Sequence, residues 1–139
     1  MPLAPSPDIV VVHSSDLHID HDYTAGLHGG DGTAGLSGVL SAARGAGADV
    51  VLLAGDTFDC HRLPAALLDR AAAIISQAAL PVVLLPGNHD PAVPDAVYHS
   101  AALSAVDNLH VLGVTMTRPS SSPRWVLKFG AARTATMAT

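Results

Sequence analysis

The 139-residue chain predicts an α/β fold: an open, mostly parallel sheet flanked by helices, in the order β-α-β-α-β-α-β. Three observations predict it. Four short runs are apolar throughout instead of alternating, as in strands buried on both faces. The first three stop abruptly at Ser14-Ser15-Asp16, Gly55-Asp56 and Pro86-Gly87-Asn88. Between the runs, apolar residues recur at helical spacing. A parallel sheet with helices on both faces and right-handed crossovers is the arrangement this pattern asks for.

Ile9 to His13 is β-branched and reads as the first buried strand. His21 to Gly35 holds Gly26, Gly29, Gly30, Gly32 and Gly35, a loop composition. Leu36, Val39, Leu40 and Ala43 mark the first helix, which Gly45 and Gly47 end. Asp49 to Ala54 is the second strand. Pro64 suits the first turn of a second helix, whose face is Leu67, Leu68, Ala71, Ile74, Ile75 and Ala78 and which runs to Leu80 before Pro81. Val82 to Leu85 is the third strand, a third helix starts near Asp95, and Leu109 to Val114 is the fourth strand.

Hydrophobic residues make up 49% of the chain, but 24 are Ala and aromatics are only 4%. The core is therefore aliphatic, and the composition is too apolar for disorder. All 12 acids are Asp, and the net charge is −5. Such a chain offers no general attraction to nucleic acid or to an anionic membrane, so a bound phosphate needs another source of positive charge. No segment reads as a signal peptide or a membrane span. The single cysteine, Cys60, fits a reducing, cytoplasmic setting. Three basic residues stand against all twelve acids before Thr115, a net −9; four basic residues and no acid follow, a net +4. Residues 1–114 accordingly read as the folded part and 115–139 as a basic, irregular tail.

Three polar clusters stand directly behind the first three strands: Asp16-Leu17-His18, Gly55-Asp56-Thr57-Phe58-Asp59 and Gly87-Asn88-His89-Asp90. In an open parallel sheet the carboxyl ends of the strands share one edge, where ligands bind. Carboxylate, imidazole and an amide oxygen suit Mn, Fe or Zn, and no thiolate cluster competes. Asp16 and His18 can turn toward one ion, Asp56 can bridge two, and Asn88 can reach the second. Two ions about 3.5–4 Å apart would polarise a phosphate and clamp an in-line displacement. His89 is placed to protonate a leaving oxygen. Gly55 and Gly87 allow torsions or close approaches that a Cβ would obstruct.

Taken alone, each cluster is an ordinary cap or turn; the three together, each behind an apolar strand, are not. They resemble the first three signature blocks of the calcineurin-like metallophosphoesterases. Ser15-Asp16-Leu17-His18, Ala54 to Asp59 and Pro86 to Asp90, with Asn108 to Gly113, are most similar to the SbcD-type DNA repair exonuclease branch. The resemblance covers roughly residues 8–114, the N-terminal part of such a domain and half of its sandwich. It implies two divalent metal ions, manganese foremost, with Asp16, His18, Asp56 and Asn88 as ligands and His89 as the catalytic histidine. Asp59 closes the second block on the substrate side and is read with His89 as catalytic. The implied partners are a phosphoester substrate, with DNA among the candidates, and an ATPase partner of the kind SbcD-type nucleases use.

The family completes its site with later histidines, including a Gly-His-x-His block. Here only His99 and His110 follow Asp90, one on the expected third helix and one in the fourth strand. The expectation is therefore a truncated or frame-shifted member with an incomplete site, the alternative being an inactive fragment or a non-catalytic metal- or phosphate-binding module. His21, Asp22, His28 and Asp31 in the glycine-rich loop read as solvated, and Cys60 reads as an ordinary thiol beside His61.

Overall fold

The apolar runs form β1 (Val11–Ser14), β2 (Val50–Ala54), β3 (Val82–Leu85) and β4 (Leu109–Val111) in a computed structural model that describes residues 8–20, 30 and 32–115. Every pairing is parallel, and the spatial order β1-β2-β3-β4 is the order in the chain. Val11 pairs with Val50, Val51 with Val82, and Val82 with Leu109. This register brings the ends of β1, β2 and β3 to one edge. The fourth strand is shorter than its apolar run because the chain turns back after Val111: Gly113 adopts φ +83°, and Thr115 exchanges hydrogen bonds with the Val111 backbone.

Helix α1 (Ala34–Gly45) buries Leu36, Leu40 and Ala43, and α2 (Ala65–Ala78) buries Leu67, Leu68, Ala71, Ala72, Ile75 and Ala78. Both are single apolar stripes at helical spacing. Pro64 sits directly before α2, where its fixed φ and missing N–H cost nothing. Beyond the left-handed Ala79, the Asn108 side-chain amide donates to the carbonyls of Ile75 and Leu80, both at 2.8 Å. It thereby satisfies acceptors that the helix end leaves open.

Two expectations need correction. The third crossover is not one helix from Asp95 but a 3-10 turn (Val97–His99) followed by a single turn, α3 (Ala101–Ser104). Ser100 is extended, at φ −62° and ψ 148°, so it ends the first piece, and its hydroxyl caps the second by accepting from Leu103 N. His99 therefore lies in the 3-10 turn. Nor do the helices cover both faces among the described residues. All three pack into one cluster with Val51, Leu53, Val82, Leu84 and Val111, whereas Val11, Val50 and Val83 form a smaller cluster from strand-side residues alone. The strand order explains it: successive crossovers of one hand, always stepping in one direction, put every helix on the same side.

Thr57 is buried, and its hydroxyl has no partner among the described residues. A desolvated, unpaired hydroxyl is a net cost. The isosteric Thr57→Val variant is expected to gain about 1 kcal/mol in urea unfolding; a loss of stability would show that the hydroxyl is satisfied.

Candidate metal centre

Past the ends of β1 and β2 the backbone ladder continues through the segments that carry the candidate ligands. Asp16 N donates to Gly55 O (3.0 Å), His18 N to Asp56 O (3.0 Å), Ile19 N to Thr57 O (2.9 Å) and Asp59 N back to Ile19 O (3.0 Å). Ile19 and Phe58 form a parallel bridge and are fully buried. The first two clusters are thus stitched together by the main chain and anchored by two core side chains one residue beyond His18 and before Asp59.

The turn after β3 is joined to them through side chains. Asp56 Oδ1 accepts from His89 N at 2.9 Å. Gly87 lies directly against Asp56, where a Cβ would overlap both the carboxylate and the backbone nitrogen. Gly55 meets the other expectation for glycine, with φ +89°. Among the described residues, three of the four non-glycine residues with left-handed φ are candidate ligands: Asp16 (56°), His18 (47°) and Asp56 (50°). Such torsions store strain of about 1–3 kcal/mol each and persist where the surroundings over-determine them, typically at functional sites.

These constraints bring Asp16, His18 and Asp56 together so that one ligand atom from each lies within 4.8 Å of the others. His18, Asp59 and His89 form a second such trio. The imidazole of His18 stands between them: Nε2 is 3.7 Å from Asp16 Oδ1, and Nδ1 is 3.1 Å from Asp59 Oδ1. A neutral imidazole has one N–H and one lone pair. With Nδ1–H donated to Asp59, the Nε2 lone pair points the donor set toward Asp16 and Asp56. A carboxylate behind a ligating histidine fixes tautomer and ring orientation in this way. Two carboxylates and an imidazole are donors suited to a borderline or hard divalent cation.

The His89 ring lies edge-on to that of His18, centroids 5.0 Å apart, and its Nδ1 is 3.1 Å from the Asp59 carbonyl oxygen. Asp16, Asn88 and His89 are exposed, while His18, Asp56 and Asp59 are half-buried. Asn88 occupies the same turn, between Gly87 and His89, and belongs to neither trio of imidazoles and carboxylates. His99 and His110 join no such group among the described residues. Burial holds the His110 imidazole below its ordinary pKa.

The sequence pattern gives Asp90 no role beyond its place in the third cluster and gives Tyr98 none. Asp90 is completely buried; its Oδ1 accepts from Gly87 N (2.7 Å), and its Oδ2 accepts from Phe58 N (3.0 Å) and from the Tyr98 hydroxyl. Burial, and then the bond to Asp90, push the Tyr98 hydroxyl far above the ordinary phenol range, so it stays a donor. The only local signal for Asp90 was its place at the end of the third cluster.

Beside this edge, Cys60 donates its thiol to Arg62 O at 2.7 Å, as an ordinary side chain would. His61 and His99 line a separate groove of about 350 Å³ that contains the exposed Arg62–Asp95 ion pair. Arg62 holds the Asp95 carboxyl below its usual pKa. His21, Asp22, His28, Asp31 and residues 116–139 of the basic tail lie outside the described residues. Among the described residues, no helix is long and apolar enough to cross a membrane.

A family model described as calcineurin-like phosphoesterase matches residues 9–126. No curated protein matches the chain.

Proposed function

The chain belongs to the calcineurin-like phosphoesterase family, and from that premise we propose that it is a metal-dependent phosphodiesterase whose preferred substrate is DNA. The observation that carries the reading is the convergence of Asp16, His18 and Asp56, from two separate strand ends, to within 4.8 Å of one another. These residues would hold the first ion, with Asp56 shared and Asn88 serving the second. Bound divalent ions, manganese by preference and otherwise iron or zinc, would act as Lewis acids on the phosphoryl group and on water. This supplies the positive charge that an acidic chain lacks.

The chain's own groups do the rest. Asp59 holds the Nδ1–H of His18 and so keeps Nε2 directed at the ion site. Assigned by the same geometry, His89 gives its Nδ1–H to the Asp59 carbonyl. Its Nε2 is then the nitrogen left facing the departing oxygen, and in the imidazolium form, with a proton on each nitrogen, it would give up the Nε2 proton and keep the one held by Asp59. In this proposal Asp59 acts through both histidines, its carboxylate on His18 and its backbone carbonyl on His89. Asp59→Asn keeps the shape but weakens the acceptor, and Mn²⁺ affinity in calorimetric titration is expected to fall about 10–100-fold; an unchanged affinity would remove Asp59 from the site.

The likeness of the three blocks to the SbcD-type branch supports DNA ends as substrate, an ATPase partner and a reducing, cytoplasmic setting. It also supports residues 1–114 as the N-terminal part of the catalytic domain, with 115–139 as a basic tail. The test is hydrolysis of bis(4-nitrophenyl) phosphate and of an end-labelled DNA duplex by the purified chain with saturating Mn²⁺. Multiple turnover stopped by EDTA is expected; no turnover on either substrate defeats the enzyme reading.

One observation favours a second reading, a metal-binding module without catalysis. Both trios draw on His18, so the described histidines and carboxylates furnish one complete three-residue set at a time. Elemental analysis after Mn²⁺ saturation separates the readings: two ions per chain support the dinuclear enzyme, and one supports the module.

A further inference from the structure

Resting on the metal-site reading above, we infer that Asp90 and Tyr98 are positioning residues, a buried latch that holds the ligand-bearing segments in register from beneath the sheet edge. Asp90 touches nothing that would meet substrate, since it is fully buried. Its carboxylate instead collects one donor from each of three separate segments. Gly87 N comes from the turn that carries Asn88 and His89, Phe58 N from the segment that carries Asp56 and Asp59, and the Tyr98 hydroxyl from the 3-10 turn far along the third crossover.

A buried carboxylate is tolerated when its oxygens are hydrogen-bonded, and here both oxygens are engaged. Charge-assisted bonds of this kind are stronger than neutral ones and fix their donors tightly. The Asp90 oxygen that accepts from Gly87 N therefore also sets the close approach of Gly87 to Asp56. The Phe58 bond fixes the residue whose bridge to Ile19 stitches the His18 segment in place. Tyr98 closes the device from the far side: its ring packs edge-on against Phe58, centroids 5.8 Å apart at 71°, while its hydroxyl donates to the same Asp90 oxygen as Phe58 N. One side chain from the third crossover thus braces both the acceptor and one of its donors.

The consequence is a dependence of metal binding on two residues that are not ligands. Tyr98→Phe keeps the ring and its packing on Phe58 and removes only the hydroxyl. Asp90→Asn keeps the shape but presents an NH₂ group toward one of the N–H donors. In calorimetric titrations with Mn²⁺ alone, affinity is expected to fall on the order of tenfold in Asp90→Asn and about threefold in Tyr98→Phe. Amide hydrogen exchange at Gly87 and Phe58 should accelerate in both. Ile75→Val, a mild core loss in α2 away from the latch, is the control for lowered stability as such and should bind Mn²⁺ like the parent.

Parent-like Mn²⁺ affinity in folded Tyr98→Phe overturns the latch, as does an equal loss of affinity in Ile75→Val. If Asp90→Asn does not fold, Tyr98→Phe and the control decide the matter. A parent chain that takes up no Mn²⁺ defeats the metal-site reading itself, and the role given to Asp90 falls with it.

Discussion

Asp56→Asn is expected to abolish Mn²⁺-dependent hydrolysis and to weaken Mn²⁺ binding by more than about 100-fold, since loss of a direct ligand exceeds the 10–100-fold cost of losing an outer one. The substitution is gentle on the fold. Asp56 sits at φ +50°, a conformation that Asn tolerates well, and an Asn Oδ1 can still accept the His89 amide now held at 2.9 Å. What disappears is the negative charge at a carboxylate that faces both the first and third clusters. Thermal melting should therefore stay near the parent value while titration calorimetry shows the loss. Equal activity in the variant would remove Asp56 from the chemistry, and with it the dinuclear reading.

Gly87→Ala is expected to damage stability and metal binding together. The added Cβ would overlap the Asp56 backbone nitrogen as well as its carboxylate, and backbone cannot swing aside as a flexible side chain can. Overpacking of this kind costs about 1–3 kcal/mol, readable as a lower urea midpoint. Any relief that moves Asp56 also moves a candidate ligand. Gly55→Ala separates the two effects, because there the new Cβ would meet only the Gly87 Cα at 3.7 Å, and the cost is torsional, from φ +89°. A Gly87→Ala protein that binds Mn²⁺ as the parent does would show that the contact has no part in holding the site.

The strands and the first two helices were legible because their causes are local. Val82 to Leu85 is a strand for the same reasons it reads as one: aliphatic residues bounded by Pro81 and Pro86. The ligand edge was legible as well, since three polar clusters each follow such a run. The third crossover was not, because its outcome turned on Ser100, whose extended backbone ends one piece and whose hydroxyl begins another. The side of the sheet on which the helices lie follows from strand order, which no window of sequence contains. Asp90 reads as one more polar residue in a turn until Phe58 and Tyr98, 32 and 8 residues away, are seen to donate to it. Asp59 reads from the sequence only as the end of the second cluster, and its 3.1 Å approach to His18 Nδ1, 41 residues away, is not legible there.

The sheet order has a consequence for how the molecule comes into being. Among the described residues each strand pairs with the one made just before it, so none of these four has to wait for a later partner or insert between two that have already met. Assembly can proceed by accretion as the chain leaves the ribosome, at about 5–20 residues per second. The entropy of each closure is then limited to one crossover at a time. By the time residue 90 has emerged, the residues proposed as ligands have all been made, yet the Tyr98 hydroxyl has not. A nascent chain paused at that point would hold the strand ends loosely gathered, and completion of the next turn would tighten them.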